Sequence, residues 1–333
     1  MQTQTTGTMA YGVVYKKNLG QYHVHAQGQV IVCSLSARLW KDFEYSGGKG
    51  GRKQRVAHVS EKHMDPVAIG DQVQFQPAGE QTGQIVAVLP RRNKLTRQSA
   101  KPMPGAHAFE QVIAANLDQV VPVFAAANPD PRWHMLDRYL VAAEWHQLPA
   151  QIVITKVDLV RDTPAEADLL TAVERYRQIG YPVALTSAQQ ALGLEDLREI
   201  LVEKTSVLVG KSGVGKTSLL NAIEPGLGLR VQTVNQTTGK GRHTTTHLEM
   251  FPLAAGGAII DTPGVREFGL FGLTPEDVAG CFPEMRPLLC GECQFGASCR
   301  HEDEPGCAIR QAVVAGAISP YRYKSYLRLK VDL

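Results

Sequence analysis

The sequence predicts a multidomain chain: an N-terminal β-barrel of the OB-fold type, a central α/β domain, and a small C-terminal domain rich in cysteine. Three observations predict it. Short apolar runs separated by glycine fill residues 10–90, strand and helix patterns alternate from about 110 to 265, and four of the six cysteines lie within 18 residues near the end. A length of 333 residues is too much for one ordinary core, because domains usually hold ~100–200 residues. The domain boundaries are read at 1–105, 106–275 and 276–333.

The barrel rests on five runs, Tyr11–Tyr15, Tyr22–Ala26, Gln29–Ser34, Gln72–Gln76 and Gln84–Leu89, with Gly20, Gly28, Gly70 and Gly83 at the breaks. Alternation at period two marks strands with one buried face, and glycine supplies the turns between them. About five such strands in under ~100 residues fit a small closed barrel. The glycine-rich basic segment Lys41–Arg55 reads as a mobile loop. The basic stretch Arg91–Lys101, followed by Met-Pro-Gly, reads as the linker out of the barrel.

The central domain rests on apolar runs at Val120–Ala125, Gln151–Thr155, Pro182–Thr186, Ser206–Gly210 and Gly257–Ile260. Helix-like stretches lie between them, including Pro164–Ile179 and Leu194–Glu203. This alternation specifies a mostly parallel sheet with helices on its faces.

Charge divides the chain. Residues 1–105 carry 14 Lys and Arg against 6 Asp and Glu, a formal +8, while the remainder carries 21 against 26, a formal −5. A basic end on an acidic chain suggests a polyanionic partner for that end. The N-terminus MQTQTTGTMA has neither the basic nor the apolar region of a secretory signal, and no apolar run approaches the ~18 residues that span a bilayer. The expectation is a cytoplasmic protein with no membrane partner, in which clustered cysteines hold metal rather than disulfides.

Gly210-Lys211-Ser212-Gly213-Val214-Gly215-Lys216-Thr217 matches G-x4-G-K-[ST], with the apolar SVLV before it and the helix-like SLLNAI, opening on Ser218, after it. Glycines let backbone N–H groups close around phosphates. Lys216 then neutralises the β- and γ-phosphates, and the Thr217 hydroxyl ligates Mg²⁺. Downstream, the strand GAII runs into Asp261-Thr262-Pro263-Gly264. A carboxylate there suits Mg²⁺, and the Gly264 N–H suits a γ-phosphate.

Upstream, Thr155-Lys156-Val157-Asp158 ends the run QIVI and resembles the guanine-reading NKxD element of GTPases. The Asp158 carboxylate can accept from guanine N1–H and N2–H₂, whereas adenine would leave it unpaired. Ser187-Ala188, after PVALT, resembles the supporting guanine loop. These base-reading elements precede the phosphate loop, the reverse of the usual order. That order is a circular permutation, which closely spaced termini allow. Between the phosphate loop and Asp261 lies Gly241-Arg242-His243-Thr244-Thr245-Thr246. Thr245 suits a loop closing over Mg²⁺ and γ-phosphate. Val265 follows Gly264 and cannot orient water, so His243 is the candidate for that role.

With GKSGVGKTSLLNA, GRHTTT, DTPGVREFGL and the C-x5-C-x-H-x5-C tail, nearly the whole chain resembles the RsgA (YjeQ) family of small ribosomal subunit biogenesis GTPases. The resemblance implies a GTP phosphohydrolase that the 30S subunit stimulates during late maturation. It also implies 16S rRNA contact, Mg²⁺ with GTP, one structural Zn²⁺ and a monomer. Two departures stand out: the family usually has Asn where this chain has Thr155, and four residues rather than five between the first two zinc cysteines.

Cys293, Cys299, His301 and Cys307 supply three thiolates and an imidazole, a closed tetrahedral set of structural type. Cys290 is a rival to His301, because Cys290-x2-Cys293 is also a zinc spacing. The closing segment YRYKSYLRLK alternates aromatics and cations. It reads either as an RNA-contacting tail or as a helix packing Tyr and Leu inward.

Overall fold

The computed structural model describes residues 9–18, 20–39, 41, 66–98, 110–228, 248–261, 270–289 and 291–333. In chain order its strands are β1 (Ala10–Asn18), β2 (Gln21–Ala26), β3 (Gln29–Leu35), β4 (Gln72–Pro77), β5 (Thr82–Val88), β6 (Lys94–Gln98), β7 (Glu110–Ala115), β8 (Gln119–Ala125), β9 (Ile152–Thr155), β10 (Val183–Leu185), β11 (Thr205–Val209), β12 (Glu249–Pro252) and β13 (Ala258–Asp261). Its α-helices are α1 (Trp133–Trp145), α2 (Pro164–Ile179), α3 (Leu194–Leu201), α4 (Lys216–Ile223), α5 (Ala308–Val314) and α6 (Pro320–Val331). The chain divides into two compact units, Met1–Leu117 with Thr245–Pro252, and Asp118–Thr244 with Leu253–Leu333.

In the first unit, β1 to β5 pair in the order β1-β2-β3-β5-β4, and β4 pairs back onto β1. The sheet therefore closes into the expected five-stranded barrel. Alternation places Val14, Tyr22, Val24, Ile31, Cys33, Val73, Phe75 and Ile85 inside. Closure removes the unpaired strand edges that an open sheet would expose. Arg91 grips the buried Asp71 carboxylate through two 2.7 Å bonds, fixing the entry to β4. The stretch expected as a linker is in part structured: Lys94–Gln98 forms β6, antiparallel to β7. Its basic composition predicts a linker out of the barrel. In fact Leu95 and Thr96 are fully buried, and Lys94 pairs with Glu110 across the ladder at 2.6 Å. The segment Lys41–Arg55 lies outside the described residues apart from position 41.

In the second unit, β10-β9-β8-β11-β13 form a parallel sheet. The middle strand β8 is buried along its whole length, as a parallel strand covered on both faces must be. Val121, Val123 and Ala125 face a cluster built from α3 and α4, whereas Phe124 points the other way and meets Tyr139 of α1 at 5.9 Å between ring centres. The chain runs from β8 outward to β10, then crosses to β11 on the other side of β8. Strand order thus reverses between β8 and β11, where open α/β sheets bind ligands beyond the strand carboxyl ends.

The C-terminal segment packs on α1. Val141 of α1 shares one apolar cluster with Phe282, Met285, Ile309, Tyr326 and Leu329. Trp145 donates its indole N–H to the Phe271 carbonyl at 3.2 Å, and Arg286 donates to Glu144 at 2.7 Å.

Candidate functional site

β11 delivers the glycine-rich loop at the carboxyl edge of the sheet. Two of its glycines are required by geometry. A Cβ on Gly210 would run into the Val123 carbonyl of β8, and Gly215 holds φ +99° at the N-cap of α4. Lys216 then begins α4, 8% exposed, with its ammonium on the Gly210 carbonyl at 2.7 Å. Thr217 and Ser218 follow half-buried on the first turn, while Lys211 and Ser212 stand exposed at the loop tip. Gly213 and Val214 complete the loop, and their carbonyls accept from Lys156 and Thr155 respectively.

Asp261 ends β13, paired in register with Leu208, so its carboxylate lies beside the loop. Burial pushes the Asp261 carboxyl up, and Lys216 pulls it down; burial pushes the Lys216 ammonium down, and Asp261 pulls it up. Each charge depends on the other or on ligands in the cradle. Asp261 Oδ1 is buried with no hydrogen-bond partner among the described residues. An orphaned carboxylate oxygen beside a phosphate-binding loop and the Thr217 hydroxyl fits a Mg²⁺ ion.

Thr155 and Lys156 sit directly against this loop. Gly215 is close enough that a Cβ would lie 3.4 Å from Thr155 Oγ1. The Thr155 hydroxyl reaches the carbonyls of Phe124 and Val214. Lys156, in the left-handed region at φ 55°, donates to the carbonyls of Gly213 at 2.7 Å and Asn128. Burial pushes the Lys156 ammonium down. Asp158 follows, half-buried in a single 3₁₀ turn. Next door, β10 leads into Ser187, fully buried, whose hydroxyl accepts from the Gln190 N–H at 3.1 Å; Ala188 is half-buried. The Val157 N–H donates to the Thr186 carbonyl at 3.3 Å, which joins the two loops. Asn128 was not singled out from the sequence. Its signal was the Asn-Pro dipeptide after an apolar strand, a turn marker that says nothing of what its carbonyl meets.

Cys293, Cys299, His301 and Cys307 are all buried, with one ligand atom of each within 4.8 Å of the others. His301 Nδ1 lies 3.5 Å from both Cys293 Sγ and Cys307 Sγ. Burial pushes the Cys299 thiol up to about 12, so converging thiolates need a cation to balance them. Three thiols and a neutral imidazole aimed at one point fit one Zn²⁺ in a closed tetrahedral set. Cys290, His243, Thr245 and Gly264 lie outside the described residues.

The aromatic tail resolves into α6, with Tyr326 and Leu329 buried. Tyr323 and Tyr326 donate their hydroxyls to the carbonyls of His301 and Arg300, at 2.8 and 2.9 Å. These rings are used in packing against the cysteine cluster, so the inward-packing reading of this segment holds.

The RsgA GTPase family model matches residues 88–271. The chain belongs to the RsgA GTPase family. It is 47% identical over 310 residues to the small ribosomal subunit biogenesis GTPase RsgA of Gemmatimonas aurantiaca, covering 91% of this chain and 96% of that one. It is 43% identical to the protein of the same name from Pseudomonas aeruginosa, covering 81% of this chain and 77% of that one. YjeQ from Thermotoga maritima superposes with a TM-score of 0.71 at 29% identity, covering 98% of this chain and 99% of that one. The circularly permuted GTPase YloQ superposes at 0.68 and 30%, covering 100% and 97%. The chain is thus a GTP-hydrolysing enzyme on a permuted GTPase fold, with the Thr155–Lys156 segment earlier in the chain than the glycine-rich loop it touches.

Proposed function

We propose that this GTPase acts in late maturation of the small ribosomal subunit, binding 30S particles through 16S rRNA and hydrolysing GTP faster when bound to them. The reading is supported by the names its relatives carry. One observation carries the nucleotide site: the Thr155–Lys156 loop, the glycine-rich loop and the orphaned Asp261 oxygen converge at one sheet edge.

Residues Gly210 to Ser218 cradle the phosphates, and Lys216 stabilises charge developing on the γ-phosphate oxygens. Asp158, with Thr155, Lys156, Ser187 and Ala188, reads guanine. Thr217 and Asp261 hold Mg²⁺, which when bound neutralises phosphate charge. Gly264 and Thr245 meet the γ-phosphate side, and His243 orients the attacking water, the role that Val265 cannot fill. Cys293, Cys299, His301 and Cys307 hold a structural zinc. The working partition is an RNA-binding barrel at 1–105, the GTPase domain at 106–275 and the zinc domain at 276–333, in a cytoplasmic monomer. The charge of +8 on residues 1–105 supports rRNA contact, because neutralising phosphates releases counterions.

GTP turnover measured alone, with 30S and with 50S subunits tests the reading. Stimulation by 30S only is expected. Equal turnover in all three would leave a GTPase without this partner.

A further inference from the structure

Away from the nucleotide loops, the start of α1 and the end of α6 enclose a cleft of about 150 Å³. His134 and Arg138 line it from α1, and Ser325, Arg328 and Asp332 from α6. Ser325 is 4% exposed and lines the cleft. Arg138 makes no ion pair among the described residues. Arg328 reaches Asp332 only at 3.9 Å, a loose exposed pair. Asp137, the other nearby carboxylate, turns inward to Arg322 and Tyr176. Arg132 caps α1 without an acidic residue in the first turn, so the helix end adds positive potential. Burial first, then Arg328 and Arg132, push the His134 imidazole down, against Asp137 and Asp332.

We propose that this cleft binds a phosphoryl oxyanion, either a phosphodiester of an RNA strand or free phosphate. Arg138 from α1 and Arg328 from α6 donate charge-assisted hydrogen bonds, and the Ser325 hydroxyl donates a third. Two guanidiniums on different helices suit a tetrahedral anion held between them, because neither has a full partner among the described residues. The volume admits a phosphoryl group.

The test uses the full-length protein with saturating GDP, so that the glycine-rich loop is filled. The His134 ring signals, assigned with His134→Gln, are followed by NMR while inorganic phosphate or a short oligouridylate is added. Saturable shifts are expected, with the affinity falling about tenfold or more in R138Q/R328Q, the loss of two charged hydrogen bonds. Ser325→Ala gives a milder variant should the double substitution disturb folding, and should weaken binding several-fold. GDP affinity should not change. Competition of phosphate by oligouridylate identifies an RNA backbone site; saturation by phosphate alone identifies a free-anion site. Linear shifts with both probes, or equal shifts in wild type and R138Q/R328Q, would mean an adventitious ion only and overturn the proposal.

Discussion

The hydroxyl of Thr155 meets the carbonyl of Val214, so the residue before Lys156 is tied to the glycine-rich loop 59 positions later. Thr155→Val keeps the shape and removes the proton, leaving a buried carbonyl unsatisfied. Such a loss costs about 1–3 kcal/mol. GTP affinity should fall roughly five- to hundredfold, with guanine still preferred over adenine; calorimetric titration with GTP and ATP checks both. Unchanged affinity would make the contact incidental.

In the proposed function Asp158 carries the base preference. In Asp158→Asn the carboxylate no longer accepts from N1–H and N2–H₂, and the new amide can donate to the carbonyl that xanthine has in place of N2–H₂. Weaker GTP binding and stronger xanthosine triphosphate binding are expected by competition. If ATP competes as well as GTP against the wild type, this loop is not the base reader.

Lys216 is 8% exposed and already aimed into the loop. Lys216→Ala should lower kcat by roughly 10²–10³-fold, the effect of removing one preorganised donor from developing charge. Single-turnover hydrolysis with enzyme in excess separates this from lost binding. An unaltered single-turnover rate would remove Lys216 from the chemistry.

Arg322 and Asp137 form a fully buried pair at 2.6 Å, with Glu284 at 2.7 Å on the other side of the guanidinium. The Phe282 ring lies 4.4 Å beneath. Removing one member of a buried pair costs about 3–5 kcal/mol, because its partner is left charged and dry. Arg322→Met should therefore lower Tm by on the order of 10 °C. Arg322→Met with Asp137→Leu should recover part of that, since the fully buried carboxylate is gone and only Glu284, nearer the surface, is left without its partner. Calorimetric melts of the single and double variants read the coupling. Additive losses would show that the pair acts as two independent residues.

Metal analysis should find about one zinc per chain. Cys299→Ser should release it and loosen α5 and α6, whose contacts run through the cluster; hydrogen exchange in 293–331 reports the loosening. Loss of zinc in His301→Ala with retention in Cys290→Ala matches the geometry on His301. The reverse pattern would assign the fourth ligand to Cys290.

Much of the fold was legible because its signals are local. Alternation marked all five barrel strands, and apolar runs marked β8 to β11 and β13 within a residue or two. β6 was missed because a half-basic strand looks like a connector until its partner β7 buries Leu95 and Thr96. α1 was not singled out either, although its buried face holds Leu136, Leu140 and Val141. The segment Tyr321–Lys330 admitted two readings, and periodicity could not choose between them, because an aromatic stripe fits an RNA surface or a core equally well.

The sequence by itself determined the motifs: the glycine-rich pattern from Gly210 to Thr217, the Lys156-x-Asp158 element proposed to read guanine, the cysteine and histidine set ending at Cys307, and the permuted order of these parts. Each is a short contiguous pattern whose residue types the chemistry dictates. Tertiary structure alone decided that Thr155 and Lys156 grip Val214 and Gly213, that Tyr323 and Tyr326 face the cysteines, and that Arg322 is sealed against Asp137, 185 positions away. These contacts join elements distant in the chain. Which side chains meet there follows from how helices seat on the sheet and from burial, which no local pattern encodes.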